Sequence, residues 1–386
     1  MKVLFINTVC GVESTGRICT DIADMLSAQG HDCKIAYGRG LVPERYSNYA
    51  VRIGSDKSVK FNALKARLFD NEGFNAKDET LKFISWVRTY DPDVIHLHNL
   101  HGYYLNIEIL FDYLKNCGKK IIWTLHDCWA FTGHCTHFQY PHCDKWQTEC
   151  DKCVRKKDYP KAYFTHAKRN FNKKKQIFCG VDNLTLVTPS EWLARLVKES
   201  FLKEYPIKVI HNGIDLSVFK PTECDFREKF GLQDKKIILG VAGVWDKRKG
   251  LDDFLKLSES LKDNDEYRIV LVGLTDKQVK KMPKNIIGIK RTNNTAELAG
   301  LYTTADVLFN PTYEDNYPTV NLEAQACGTP VITYATGGSV ESVPEENVIP
   351  VGEYEKLNAL LNFEIILMPD DKWIMLDNYY TIFAKY

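Results

Sequence analysis

Residues 2–37, KVLFINTVCGVESTGRICTDIADMLSAQGHDCKIAY, decide how this chain is built. Lys2 to Thr8 is a short apolar run that reads as a buried strand. Ser14 to Gln29 repeats its apolar residues at helical spacing and closes on Gly30, and Cys33 to Tyr37 reads as a second strand. Strand, helix and strand in that order open a doubly wound α/β domain with a parallel sheet. The loop from Asn7 to Arg17 then leaves the carboxyl end of a strand, which is where open α/β sheets bind ligands. It lacks a G-x-G-x-x-G pattern, and Gly16-Arg17-Ile18 is not the Gly-Lys-Ser/Thr of a P-loop, which argues against a nicotinamide enzyme and an ATPase. Gly11, Ser14, Thr15, Gly16 and Arg17 are candidates for contact with a polar ligand, with plain turn chemistry as the alternative.

Outward from this unit, strands are expected at Val94–His98, Ile121–Leu125, Leu184–Thr188 and Lys208–Ile210, completing one α/β domain over 1–210. After the turn-rich His211-Asn212-Gly213-Ile214-Asp215 the pattern restarts. Ile237–Val241, Arg268–Val272, Ile286–Ile289, Asp306–Phe309 and Val331–Thr333 are strand-like, which predicts a second domain over 211–369 and a ligand cleft between the two. Asp370–Tyr386 is expected to be a helix that packs back on the first domain. The length of 386 residues suits two or three domains. A net charge of +1, from 51 basic and 50 acidic residues, argues against nucleic acid as a partner. No apolar run reaches transmembrane length and no leader pattern precedes Val3, so the expectation is a cytoplasmic protein whose twelve cysteines are reduced thiols or metal ligands.

Two stretches depart from the regular alternation. Lys156–Lys175 interleaves cations with Tyr159, Tyr163, Phe164 and Phe171, and reads either as a solvated basic helix or as a contact for an anionic membrane or a phosphate-bearing acceptor. Cys135, Cys143, Cys150 and Cys153 are spaced C-x7-C-x6-C-x2-C, with His134, His137 and His142 nearby. This is a candidate structural zinc site, with buried free thiols as the alternative.

The chemistry-bearing positions fall at strand ends. His126 follows the strand ending at Leu125, and His98 ends the preceding one, so both are candidates for the rim that carries the Gly11–Gly16 loop. In the second half, Gly243 to Gly250 is a loop with three consecutive cations, Lys247, Arg248 and Lys249, suited to a diphosphate or simply solvated. Tyr313–Val331, YEDNYPTVNLEAQACGTPV, places Pro318 at a helix start and Gly328-Pro330 at its stop. The amides at that start suit an anion, and Glu323 inside the helix suits paired sugar hydroxyls, unless both acids are merely solvated.

With these pieces in place the chain resembles the retaining glycosyltransferases of family four, from Met1 to about Gly352. The most specific match is Asp315, seven intervening residues, Glu323 and the following Ala-Gln-Ala-Cys-Gly-Thr-Pro-Val. The resemblance implies the GT-B fold, two Rossmann-like domains, a nucleoside-diphosphate sugar as donor and no cofactor for catalysis. It implies that Glu323 binds ribose hydroxyls, that Asp315 holds the donor sugar, and that amides around Asn316, Tyr317, Pro318, Thr319 and Val320 hold the diphosphate. Lys249 matches the phosphate-binding lysine and His126 the acceptor-side histidine. The run Thr124 to Cys135 with the later cysteines looks like a bacterial subgroup that builds surface polysaccharides on glycan or lipid-linked acceptors. The chain departs from the pattern where Asp315 replaces the usual Glu, where Val244 replaces an arginine whose part falls to Arg248 or Lys247, and in 356–386. The rival expectations are a nucleotide-sugar epimerase or hydrolase, and a nucleotide-sugar-binding protein without turnover.

Overall fold

The structure, a computed structural model, describes residues 1–354 and 356–357. The helix expected at 370–386 lies outside them. The chain divides into two compact units, one spanning Met1–His211 and one beginning at Asn212.

The first unit is a seven-stranded parallel sheet. Its strands are β1 (Lys2–Asn7), β2 (Asp32–Tyr37), β3 (Ala50–Arg52), β4 (Val94–Leu97), β5 (Lys120–Thr124), β6 (Leu184–Thr188) and β7 (Ile207–Val209), in the spatial order β3-β2-β1-β4-β5-β6-β7. The crossovers are α1 (Glu13–Ala28), α2 (Asp56–Phe69), α3 (Lys77–Tyr90), α4 (Ile107–Asn116), α5 (Ala167–Phe178) and α6 (Glu191–Glu199). Strands β1 and β4 are buried at nearly every position because both faces of a crossed-over parallel sheet are covered. They pair in the register Val3 with Val94 through Ile6 with Leu97. One stripe of α1, Ile18, Ile22 and Leu26 among others, faces the sheet. The side chains of Asn106 and Ser190 accept the third backbone N–H of α4 and α6 and set where those helices begin. The core is unusually aromatic, with Phe111, Trp123 and Phe178 packed at ring distances of 4.6–5.5 Å.

The second unit repeats the plan with six parallel strands, β8 (Lys236–Val241), β9 (Tyr267–Val272), β10 (Ile286–Ile289), β11 (Val307–Asn310), β12 (Val331–Tyr334) and β13 (Val348–Ile349). Their order is β10-β9-β8-β11-β12-β13. The helices are α7 (Phe226–Phe230), α8 (Leu251–Ser260), α9 (Asp276–Val279), α10 (Thr295–Thr304) and α11 (Thr319–Ala326). Each unit is therefore Rossmann-like. Strands β3 and β13, at sheet edges, escape the sequence reading because they are two or three residues long and only partly buried. No helix among the described residues is long and apolar enough to cross a membrane.

Candidate functional site

Strand order reverses between β1 and β4 in the first unit and between β8 and β11 in the second. At such a point the crossovers leave in opposite directions and the carboxyl ends of the two strands open a crevice. The residues singled out in the sequence collect at these two points.

In the first unit, Asn7 ends β1 and ties the rim together. Its amide donates to Val9 O (2.8 Å) and Thr15 Oγ1 (3.3 Å), and its carbonyl oxygen accepts the Asn99 N–H (3.2 Å) from the loop after β4. Gly11 has φ +69°, and a Cβ there would press on the Tyr46 ring, so this glycine is required by packing whatever else the loop does. Gly16 is buried, Ser14 is exposed, and Thr15 and Arg17 are half-buried.

Four histidines surround the ends of β4 and β5. His96 bonds Thr124 through Nε2 (2.8 Å), and His98 Nδ1 lies 2.9 Å from His126 Nε2. His98 is almost fully buried. Its Nε2 has no hydrogen-bond partner among the described residues. A buried orphan N–H is the rarer and costlier condition, so the favoured tautomer has His98 Nδ1–H donating to His126, which leaves the His126 proton on Nδ1. Burial lowers His126 to about 4 and His96 to about 3, and holds His98 well below its ordinary value, so all three are neutral at pH 7. His101 differs: Nε2 pairs with Asp127 (2.8 Å) and Nδ1 with the Tyr159 hydroxyl (3.0 Å). Burial by itself would raise Asp127, but the neighbouring His101 and the Trp129 N–H bring it to about 2. The sequence reading missed His101 and Tyr159; the only signal was the close run of His96, His98 and His101.

In the second unit the loops after β8 and β11 are locked together. Gly250 has φ +73°, and a Cβ would overlap the Pro311 carbonyl. Tyr313 N–H donates to Arg248 O (2.8 Å), and Arg248 Nη1 donates to Glu314 O (2.8 Å). Arg248 thus braces the neighbouring loop. Asp246 Oδ1 accepts the Lys249 N–H (3.0 Å), and the Lys249 ammonium pairs with Asp315. Asp315 Oδ1 also accepts the Asn316 N–H (2.9 Å). Glu314 is fully buried. Lys247, Gly243 and Val244 are exposed, and there is open space where a Gly243 Cβ would sit.

Pro318 precedes the first helical residue of α11, Thr319, because its ring pre-sets φ (here −70°) and it has no N–H to leave unpaired; Gly328, at φ +86°, ends the segment. Asn316, Tyr317 and Pro318 are buried, while Thr319 and Val320, whose N–H groups open the helix, are half-buried. Glu323 is buried one turn in, where its Oε2 accepts the Tyr302 hydroxyl (2.9 Å). Tyr302 comes from α10 and had no signal in the sequence. An ammonium, a paired carboxylate and a helix start with its positive end are thus gathered at the β8/β11 crevice, an arrangement able to hold an anion beside hydroxyl groups.

The zinc expectation is not supported. Cys135, Cys143, Cys150 and Cys153 line one cavity of about 30 Å³, but Phe138, Trp146 and Ala167 share the lining. Among the described residues no three His, Cys, Asp or Glu side chains are placed to hold a metal ion. All twelve cysteines are free. Cys150 Sγ accepts the Gly133 N–H (3.3 Å), and a hydrogen bond from Cys135 holds Cys153 below the usual thiol range. The alternative reading of the spacing, buried thiols that fill space, fits Cys135 and Cys150, while Cys143 and Cys153 are half-buried.

Comparison with known proteins gives these sites a context. The sequence model described as Glycosyltransferase Family 4 matches residues 15–218, and that described as Glycosyl transferases group 1 matches 223–365. Over 375 residues, 93% of this chain and 89% of the relative, the sequence is 25% identical to the colanic acid biosynthesis glycosyl transferase WcaC of Escherichia coli K12. It is 29% identical over 172 residues to the processive diacylglycerol alpha-glucosyltransferase of Acholeplasma laidlawii, covering 42% of this chain and 51% of that enzyme. Among solved structures, sucrose-phosphate synthase from Thermosynechococcus elongatus superposes with a TM-score of 0.65 at 18% identity, covering 94% of this chain and 88% of the other. Anabaena HepE in complex with UDP and glucose superposes at 0.62 and 14% identity, covering 94% and 89%. With one family's model spanning more than half of its length and two Rossmann-like units of the GT-B kind, the chain belongs to glycosyltransferase family 4.

Proposed function

We propose that this glycosyltransferase moves a hexose from a nucleoside-diphosphate sugar to a hydroxyl of a glycan or lipid-linked saccharide during synthesis of a surface polysaccharide, with retention at the anomeric carbon and without a metal. The observation that carries the reading is the Lys249–Asp315 pair set beside the start of α11, one turn before Glu323. The name of WcaC supports the polysaccharide setting, and UDP is the first nucleotide to test because HepE has been solved with it.

Departure of a diphosphate builds negative charge on the leaving oxygen and positive charge on the sugar, so stabilising the leaving group is the main electrostatic task. Lys249 is the cation for it, exchanging its Asp315 partner for phosphate, and the N–H groups of Thr319 and Val320 add a fixed positive end. Asp315, released from Lys249, accepts from hydroxyls of the donor sugar, and Glu323 accepts from the two ribose hydroxyls. Arg248 keeps the two loops in register. On the acceptor side, neutral His126 donates through Nδ1, with His98 setting its tautomer.

The test is nucleotide release from UDP-, GDP- and ADP-hexoses with and without lipid-linked saccharide. Release that requires the acceptor, with the product retaining the donor's anomeric configuration, is expected. Release without acceptor would favour a hydrolase, and binding without product under all conditions would favour a carrier.

A further inference from the structure

A cavity of about 530 Å³ opens beside the edge strand β3, within the range of about 300–1,000 Å³ typical of small-molecule sites. One wall is the chain at 51–55 with Ser58 of α2. The other is Glu79, Lys82, Phe83 and Trp86, which step i, i+3, i+4 and i+7 along α3 and so share one face of it. Ile53 and Phe83 are buried and give the cavity an apolar lining. Trp86 is stacked between Phe83 and Tyr90, with ring centres 6.1 and 5.1 Å away, which fixes its indole.

The polar groups of the lining fall into two kinds. Arg52 is spent on the fold: its Nη1 donates to Gly40 O (3.2 Å), its Nη2 pairs with Asp56, and its guanidinium lies 5.1 Å from the centre of the Tyr37 ring. Ser55 and Ser58 accept each other's backbone N–H groups at the start of α2. Glu79 and Lys82 have no such task, since among the described residues neither side chain makes an ion pair or a hydrogen bond. Glu79 is nonetheless held against the loop. Gly54 sits at φ +67°, and a Cβ there would come within 3.1 Å of Glu79 Cγ.

A carboxylate, an ammonium and two hydroxyls around an apolar lining match the mixed surface of a sugar ring, whose hydroxyls donate and accept while its C–H groups pack on side chains. The charges also cancel, Arg52 being neutralised by Asp56 and Lys82 offset by Glu79. Nothing here therefore selects a phosphate or an acidic sugar over a neutral one. The cavity is also on the working side of the sheet. Because the strands are parallel, the carboxyl end of β3 lies on the same edge as the β1/β4 crevice, two strand spacings or about 10 Å from β1. The loop after β2 bridges that gap. Its Gly40 accepts from Arg52 on one side, and on the other a Cβ at Gly40 would lie 3.7 Å from Val9 and Val12 of the loop after β1.

We propose that this cavity is a second saccharide site, which holds a neutral hexose unit of the acceptor glycan a few units away from the hydroxyl that reacts. Glu79 accepts from a pair of sugar hydroxyls and Lys82 donates to a hydroxyl or ring oxygen. That the saccharide serves as acceptor rests on the transfer reaction proposed above; that it binds does not.

The experiment is saturation-transfer NMR of the full chain with short neutral oligosaccharides of glucose, galactose and mannose, in the absence of nucleotide sugar. Binding of at least one series is expected. Glu79→Ala combined with Lys82→Ala weakens it about tenfold or more, and Glu79→Gln, which keeps an acceptor oxygen, weakens it less than Glu79→Ala. Since neither side chain is bonded to the fold, the variants melt close to wild type. In transfer assays the double variant raises KM for a lipid-linked oligosaccharide more than for a lipid-linked monosaccharide, and an equal rise for both overturns the acceptor role. Absence of binding by the wild type, equal binding by the double variant, or tighter binding of inorganic phosphate or glucuronate than of the neutral sugars overturns the site. Binding that the double variant weakens, in a protein that transfers sugar from no nucleotide donor, leaves the saccharide site standing and strikes the proposed transfer reaction instead.

Discussion

The two crevices are built from different materials. The one at β1/β4 rests on buried side chains bonded to each other, His98 to His126 and His101 to Asp127 and Tyr159, with the His98 and His126 imidazoles kept neutral by loss of hydration. The one at β8/β11 rests on contacts to backbone between two loops, Gly250 against Pro311 and the Arg248 guanidinium against the carbonyl of Glu314, and carries the partly buried Lys249–Asp315 ion pair. A rim made of buried rings is governed by protonation and geometry; a rim made of braced loops with an ion pair on top is governed by that charge.

The sharpest way to break this contrast is to remove the Lys249 charge or the buried carboxylate of Glu323. Lys249→Ala and Glu323→Ala are each expected to lower sugar transfer by at least about tenfold, roughly 1.4 kcal/mol of barrier, with melting temperature almost unchanged for Lys249→Ala. Wild-type rates for both would remove the proposed donor site. Next in size is His98. His98→Leu, which cannot donate to His126, should lower turnover several-fold and more than His98→Asn, whose amide can donate; equal losses would show that only volume matters at this position.

Acidification should separate the two rims further. His96, His98 and His126 have folded values below the ordinary histidine value of about 6.5, so the unfolded chain takes up their protons first. The stability they contribute is complete above about pH 6.5 and is lost as pH falls, toward about 4 for His126 and about 3 for His96. Thermal melts between pH 7 and 4 should show that loss, and His98→Asn should flatten it. The smallest effect expected is at Gly243→Ala, within about 0.5 kcal/mol in stability, because a Cβ there meets open space. A large loss of activity with unchanged stability would mark that backbone as a ligand contact.

The alternation of strands and helices was legible because apolar periodicity and local stop signals determine it. The start of α11 was legible for the same reason, since Pro318 and Gly328 act within their own turn. What the chain does not write locally was lost. Nothing near Glu323 announces Tyr302, which arrives from another helix. Lys174 reads as one more solvated cation, yet it is buried with its ammonium 3.4 Å from the Trp129 ring centre and lowered to about 7 by burial. Cysteine spacing was equally ambiguous, because a thiol that binds metal and a thiol that fills space leave the same letter.

The contact between Gly250 and Pro311 bears on how such a chain can be re-engineered. Because the β8 and β11 loops touch through backbone at a place where no side chain fits, the conformation of each constrains the other. A chimera that takes the 243–250 loop from a relative without its 311–316 counterpart would join two halves of different moulds, so loop grafting here has to move both segments together.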